Sequence, residues 1–206
     1  MLKSKNIMKY LDPIIINDCK KIISKINLKK FKQKKVLILG ANGNLASYLI
    51  YTLGLANDTI NLNCQLTLIS RNKPNKNLKR FIHKRKNFFF HKLDLNKINL
   101  KDKIKKKFHF IIHAASYASP AIFMKYKNET INLSTNVLKN ILDKCKSQKS
   151  TLLFISSVDV YGNTGNNKKG ISEEFNFENT LNLNRSMYGG SKRIGESLCK
   201  FYAKNY

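Results

Sequence analysis

The stretch 35-KVLILGANGNLASYLIYTLGL-55 decides how this chain is read. Its first five residues, KVLIL, form a short apolar run, too short for a helix and suited to a strand buried on both faces. From Leu45 onward, apolar residues at 45, 46, 49, 50 and 53 fall on one helical face. Between the two lies GANGNLA, that is Gly40-x-x-Gly43-x-x-Ala46. A strand that turns sharply into a helix points the free N–H groups of the first helical turn at whatever lies beyond, which is an anion site. Gly40 and Gly43 supply the tight turn and the close backbone approach because they lack a Cβ, and a small residue at 46 lets the helix lie near the strand. The spacing is a G-x-x-G-x-x-A variant of the dinucleotide fingerprint, and its place between strand and helix is the context that gives it meaning. Gly40, Asn42, Gly43, Asn44 and Leu45 are therefore the expected surroundings of a pyrophosphate.

Outward from this loop, strands and helices alternate. QLTLIS (65–70), NFFFHKLDL (from 87), FHFIIHAAS (108–116) and TLLFISS (151–157) read as further strands. ETINLSTNVLKNILDKC (129–145) and YGGSKRIGESLCKFYAKN (188–205) read as helices. Apolar strands alternating with helices imply a parallel sheet covered on both faces, hence an α/β, Rossmann-type doubly wound fold. Residues 1–34 form a separate amphipathic lead-in, with isoleucines at 14, 15, 22, 23 and 26, and Asp12-Pro13 suits a helix start. The expected organisation is a helical N-terminal extension over 1–34 and an NAD(P)-binding domain over 35–206.

Composition narrows the function classes. The chain has 206 residues, of which 42% are hydrophobic, enough for one sizeable core. No apolar run approaches the roughly 18–20 residues a membrane span needs, and the N-terminus lacks the apolar run of a secretory signal. A cytoplasmic protein without a membrane partner is expected. Cys19, Cys64, Cys145 and Cys199 lie far apart, as scattered reduced thiols do, and the four histidines fit no zinc-site spacing, so no metal is expected. The net charge of +27 is spread along the chain with heavy use of Asn, Ile, Phe and Tyr. It reads as a compositional bias that would attract an anionic substrate, and no nucleic-acid partner is expected.

Two further features carry chemistry. The second strand ends in Ser70 and Arg71, where an NAD-binding fold usually places an acid on the ribose 2′-hydroxyl. A cation there suits the 2′-phosphate of NADP, so NAD and NADP both stay open. Near the end, Tyr188 and Lys192 stand four apart, which puts a phenol and an ammonium on one helical face. A free tyrosine, with a pKa of about 10, is a poor base at neutral pH. An adjacent ammonium favours the phenolate, which could then take a proton from a substrate hydroxyl.

Five motifs in order, GANGNLA, LDL (93–95), IIHAAS (111–116), SSVDVYG (156–162) and Tyr188-x-x-x-Lys192, resemble the extended short-chain dehydrogenase/reductases of the nucleotide-sugar epimerase/dehydratase family. HAASYASP (113–120) and RSMYGGSKR (185–193) resemble most the branch of UDP-glucuronate decarboxylases and dTDP-glucose 4,6-dehydratases. The resemblance implies NAD as cofactor, a UDP- or dTDP-sugar as substrate, transient oxidation at the sugar C4, a role in making polysaccharide precursors, and a homodimer. It implies that Asp94 holds the adenine amino group beside Leu95, and that Ala114, Ala115 and Ser116 line the cofactor. Ser157, Tyr188 and Lys192 match the family's catalytic triad, and Asp159 matches an acid that serves at C5 once C4 is a ketone. Val158 stands where the dehydratases have a second acid, which favours decarboxylation over dehydration. Ser134, Val137 and Leu138 depart from the family's Asn, Gly and Thr, and Arg185 matches the decarboxylase-like branch. Family chains continue well past this point, so the C-terminal substrate domain is expected to be absent. The alternative reading is a non-catalytic dinucleotide-binding module.

Overall fold

The computed structural model describes residues 11–83, 85–162, 170–174 and 186–206, with the side chain of Lys101 excepted. The sheet grows from its central strand, β1 (Lys35–Leu39). β1 pairs in parallel with β2 (Gln65–Ser70) on one side and β4 (Phe110–His113) on the other. β3 (Phe88–Lys92) flanks β2, and β5 (Thr151–Phe154) flanks β4, giving the order β3-β2-β1-β4-β5. Side chains alternate across a strand, so β1 feeds two cores at once. Val36 and Ile38 enter one core with Leu66, Leu68 and Ile112, while Leu37 and Leu39 enter the other with Ile69 and Ile111. All four of these β1 residues are fully buried, which is why KVLIL is apolar after its lysine.

Helix α2 (Asn44–Thr59) and helix α3 (Lys76–Ile82) cover the first face. Helix α1 (Pro13–Lys25) packs on α2 and extends the same core. Asp12 caps α1 by accepting from the Ile14 amide, and Pro13 opens the first turn. Cys19 is fully buried there, accepting from the Thr52 hydroxyl at 3.4 Å. Ile15 and Ile23 pack inward, whereas Ile14 and Ile26 face solvent, so the apolar stripe is narrower than the isoleucine pattern predicts. The other face is covered by α4 (Leu100–Lys103), α6 (Lys127–Ser134) and α7 (Asn136–Gln148), with α5 (Pro120–Lys125) leading into α6.

The single helix expected over 129–145 is in fact two. Thr135 breaks it with φ −119° and ψ −87°, and its hydroxyl donates to the Ile131 carbonyl at 2.9 Å. A threonine that bonds back to the preceding turn offers the backbone an alternative to continuing the ladder. Helix α8 (Ser186–Asn205) closes the described chain. Cys19, Cys64 and Cys145 are buried and unpaired, and Cys199 is half-buried and also unpaired. No helix among the described residues is long and apolar enough to cross a membrane.

Candidate functional site

In a parallel sheet, ligands bind beyond the carboxyl ends of the strands, where neighbouring connections leave in opposite directions. Here that point lies between β1 and β4, and a cleft of about 270 Å³ opens there. Its floor is the glycine loop. Gly40 takes φ +87°, and its N–H and that of Ala41 donate to the Ile69 carbonyl. A Cβ on Gly40 would meet the Ala114 carbonyl and the Ala115 Cα at 2.7 Å, so the loop lies directly on the end of β4. The Gly43 N–H donates to the Gly40 carbonyl at 2.8 Å, closing the turn, and Gly43 is the N-cap of α2 without any side-chain cap. The N-cap of a 16-residue helix, Gly43, therefore lines the cleft with no side-chain cap. Asn42 braces the loop, with its amide accepting from the Asn75 N–H at 3.1 Å and donating to the Lys73 carbonyl at 2.9 Å.

Most of the other residues expected at the cofactor lie around this floor. Ser70, Arg71, Asp94, Leu95, Ala114, Ala115 and Ser116 line the cleft, together with Leu93, Asn96 and Tyr117. Asp94 ends the β3 segment in a tight turn, its carboxylate accepting from the Asn96 N–H at 3.0 Å. Asn44 and Leu45 sit at the start of α2 outside the cleft lining, and Leu45 is 62% exposed. Among the described residues the buried Ser116 hydroxyl has no hydrogen-bond partner. An uncapped helix start, a glycine cradle and an unused hydroxyl in one cleft fit the pyrophosphate and ribose of a dinucleotide.

The second group of residues assembles on β5 and α8. After β5 the chain forms a short 3₁₀ turn, Val158–Tyr161, capped by Ser157. The Ser157 hydroxyl donates to the Asp159 carboxylate at 3.0 Å and accepts from the Asp159 N–H at 3.2 Å. Val158 is 71% exposed. Helix α8 docks on this turn through Gly189, where a Cβ would overlap the Asp159 carbonyl oxygen. Lys192 reinforces the dock, its Nζ donating to the Ile155 carbonyl at 2.7 Å, and Arg193 donates to the Val160 carbonyl at 2.8 Å. Tyr188 and Lys192 are both buried, and the Lys192 Nζ lies 6.0 Å from the Tyr188 ring centre. Burial pushes the Lys192 ammonium down to about 8, against a smaller upward pull from Glu196. Ser157, Asp159, Tyr188 and Lys192 thus share one corner of the molecule, built where α8 meets the segment that follows β5. Arg185 lies outside the described residues.

Several residues here were not singled out from sequence. Phe123 of α5 lies flat against Tyr188, ring centres 4.7 Å apart and planes within 2°. His113 ends β4, buried, with Nε2 against the Leu133 carbonyl at 2.8 Å and Nδ1 without a hydrogen-bond partner among the described residues. Burial pushes it down to about 4, and the nearby Lys192 charge adds to this. Tyr117 and Tyr126 stack on each other at 5.3 Å and carry the Arg71 guanidinium. Tyr117 stands within the HAASYASP motif, yet an aromatic in a loop gives no sequence signal of its ring partner. Among the described residues no group of three or more His, Cys, Asp or Glu side chains could hold a metal.

A five-stranded parallel sheet with a glycine loop at its switch point defines a dinucleotide-binding Rossmann protein. More narrowly, the chain belongs to the NAD dependent epimerase/dehydratase family, whose model matches residues 36–206, and NAD is that family's cofactor. No curated protein matches the chain significantly by sequence. Among solved structures, it is similar to the UDP-glucuronic acid 4-epimerase of Bacillus cereus bound to UDP-glucuronic acid and NAD. The TM-score is 0.65 at 24% identity, over 84% of this chain and 53% of that one. It is similar also to the UDP-N-acetylglucosamine 4-epimerase of Methanobrevibacter ruminantium M1, with a TM-score of 0.65 at 22% identity, over 85% and 52% of the two chains. A third is the UDP-Glc/GlcNAc 4-epimerase of Campylobacter jejuni, with a TM-score of 0.65 at 20% identity, over 83% and 49%. The chain thus spans about half the length of these structures, and at such identities the likeness is one of fold.

Proposed function

We propose that the chain carries the cofactor and proton-transfer half of an enzyme that transiently oxidises C4 of a nucleotide sugar. The observation that supports this most is the docking of Tyr188 and Lys192 onto the Ser157–Asp159 turn, in a chain whose glycine loop opens a dinucleotide-sized cleft. In this reading Tyr188, as phenolate, takes the proton of the sugar C4 hydroxyl, and Ser157 orients that hydroxyl. NAD⁺, held at the glycine loop, would supply the acceptor for the hydride of C4. Lys192 Nζ lies 6.0 Å from the Tyr188 ring centre, and the Phe123 ring packs flat against the same ring. In the same reading Asp159, which accepts from the Ser157 hydroxyl, serves at a neighbouring carbon once C4 is a ketone.

The substrate we assign is a UDP-sugar, with UDP-glucuronate first in order. Two of the structural neighbours are 4-epimerases crystallised with a UDP-sugar, and the exposed Val158 supplies no leaving-group acid for dehydration. Epimerisation and decarboxylation of a 4-keto uronic acid both suit these residues. The experiment is to incubate the chain with NAD⁺ and each of UDP-glucuronate, UDP-glucose, UDP-N-acetylglucosamine and dTDP-glucose, following product by chromatography. Turnover that falls about 10²–10⁴-fold in Tyr188→Phe supports the proposed base. Turnover unaffected by that change removes Tyr188 from the role. Cofactor binding with no turnover on any sugar favours the second reading, a non-catalytic dinucleotide-binding module.

A further inference from the structure

We infer that the end of the molecule opposite the cleft is a docking surface for an anionic lipid bilayer. The inference concerns peripheral contact, not a span, and it departs from the expectation of no membrane partner. It does not depend on the function proposed above. All strands of the sheet are parallel, so the segments that lead into them converge at one end. Backbone bonds tie those segments together. The His109 N–H donates to the Lys35 carbonyl, the Thr151 N–H to the His109 carbonyl, and the Gln65 N–H to the Lys34 carbonyl. Lys30 and Lys35 enter with β1, Lys86 with β3, Lys105 and Lys106 with β4, and Lys149 with β5, and all are exposed. Among the described residues no carboxylate pairs with any of them.

A lysine-rich composition would spread cations evenly over both ends, but the carboxylates are not spread to match. Asp94 and Asp159 follow the carboxyl ends of their strands, and Glu173 accepts from Tyr161 on that same side. Toward the other end Asp58 is taken up by Arg85, and Asp143 by Lys139 and Tyr202, which leaves Asp102 as an exposed acid ahead of Lys105. Nor do cations at helix C-termini account for the charge, because Lys35, Lys105 and Lys106 stand outside helices. Exposed apolar side chains share this end. Asp18 and Cys19 of α1 accept from Tyr48 and Thr52 of α2, so the two helices run the same way and finish together, at the exposed Ile26 and Ile60. The Gln33 N–H donates to the Leu62 carbonyl, which fastens the Ile60 corner to the lysines before β1. The exposed Tyr206 ring lies under Lys146, with Nζ 3.4 Å from the ring centre. Lysines interspersed with isoleucine and tyrosine suit a bilayer surface, where ammonium groups meet phosphates and apolar side chains enter the acyl boundary. A single-stranded nucleic acid would use stacking rings and has no use for exposed isoleucines. The cleft, at the carboxyl ends of the strands, then faces away from the bilayer and stays open to dissolved ligands.

The test is co-sedimentation of the full chain with vesicles of phosphatidylcholine alone and of phosphatidylcholine mixed with phosphatidylglycerol, at low and at physiological salt. The expected result is binding to the mixed vesicles only, weakened by salt. Lys105→Glu with Lys149→Glu should weaken that binding by at least about tenfold. Lys97→Glu with Lys127→Glu makes the same charge change at the cleft end and should leave it within about twofold. Ile26→Ser with Ile60→Ser should weaken it severalfold, read on protein whose circular dichroism matches that of the unaltered chain. No binding to mixed vesicles, equal binding to neutral ones, or an equal loss in the two lysine pairs overturns the inference. Single-stranded RNA that displaces the chain from vesicles, and binds the isoleucine variant as tightly as the unaltered chain, assigns the surface to nucleic acid and overturns it as well.

Discussion

Single residues here carry opposing demands, and Lys192 shows this best. Its ammonium is buried between β5 and α8, where one carbonyl and two ring faces replace water. In the unfolded chain it keeps its proton to about 10.5, and in the fold it loses it near 8. Between those values the unfolded state binds more protons, so this residue makes stability rise with pH across that window. Urea unfolding at several pH values should show that rise, and Lys192→Met should flatten it. The same deprotonation removes the charge beside Tyr188, so turnover should fall above about pH 8 even as stability grows. His113 acts at the other end of the scale. It stays neutral in the fold down to about 4 against an ordinary 6.5, so the fold should lose stability as pH falls from 6.5 toward 4, and His113→Phe should lessen that loss. Gly40 is constrained twice, by its positive φ and by the Ala114 backbone. Gly40→Ala should cost at least 1–3 kcal/mol, roughly, read as a lower urea midpoint, and should weaken dinucleotide binding.

Among the elements, α8 matters most because its placement creates the corner shared by Ser157, Asp159, Tyr188 and Lys192. Its register on the 158–161 turn is set by the absence of a side chain at Gly189 and by two side-chain bonds to carbonyls, those of Ile155 and Val160. Gly195, further along the same helix, plays a similar role against the Phe154 ring and the Ser134 carbonyl. Gly189→Ala should shift the helix away from Ser157, with a cost of about 1–3 kcal/mol in the urea midpoint and a larger proportional loss of turnover. The Ser134, Val137 and Leu138 positions show how the packing compensates. All three are buried, and the close approach to Ser134 is made by Gly195 on α8. On the opposite face, α2 is pinned to the segment after α3 by Arg85, which donates twice to Asp58 at 2.9 and 2.6 Å and stacks on Phe81 and Phe88. Asp58→Ala leaves that buried guanidinium without its counter-charge and should cost about 3–5 kcal/mol, measured as a fall in the urea midpoint. Nothing in the sequence pairs residues 58 and 85, because ion pairing across elements leaves no local pattern.

At the scale of the whole molecule, a net charge of +27 acts against compaction, and added salt should raise the urea midpoint by screening it. The sheet is asymmetric as well. β1 is covered on both faces, while β5, which pairs only with β4 among the described residues, leaves Leu153 49% exposed. The sequence alone determined the strands, the parallel α/β class and the glycine loop, because each rests on a local period or on a backbone conformation that only glycine adopts easily. β1 and β2 stand at the predicted residues, and the loop turns at the predicted Gly40. The sequence also placed a tyrosine and a lysine on one helical face, since four residues of helix suffice for that. Only the tertiary structure decided the rest. It split 129–145 at Thr135, where a hydroxyl competed with the helix ladder. It brought α8 against Asp159 and Tyr188 against Phe123, and it gathered Arg71, Tyr117 and Tyr126 into one stack. Those contacts join residues far apart in the chain, and their geometry depends on packing across elements, which no single stretch of sequence encodes.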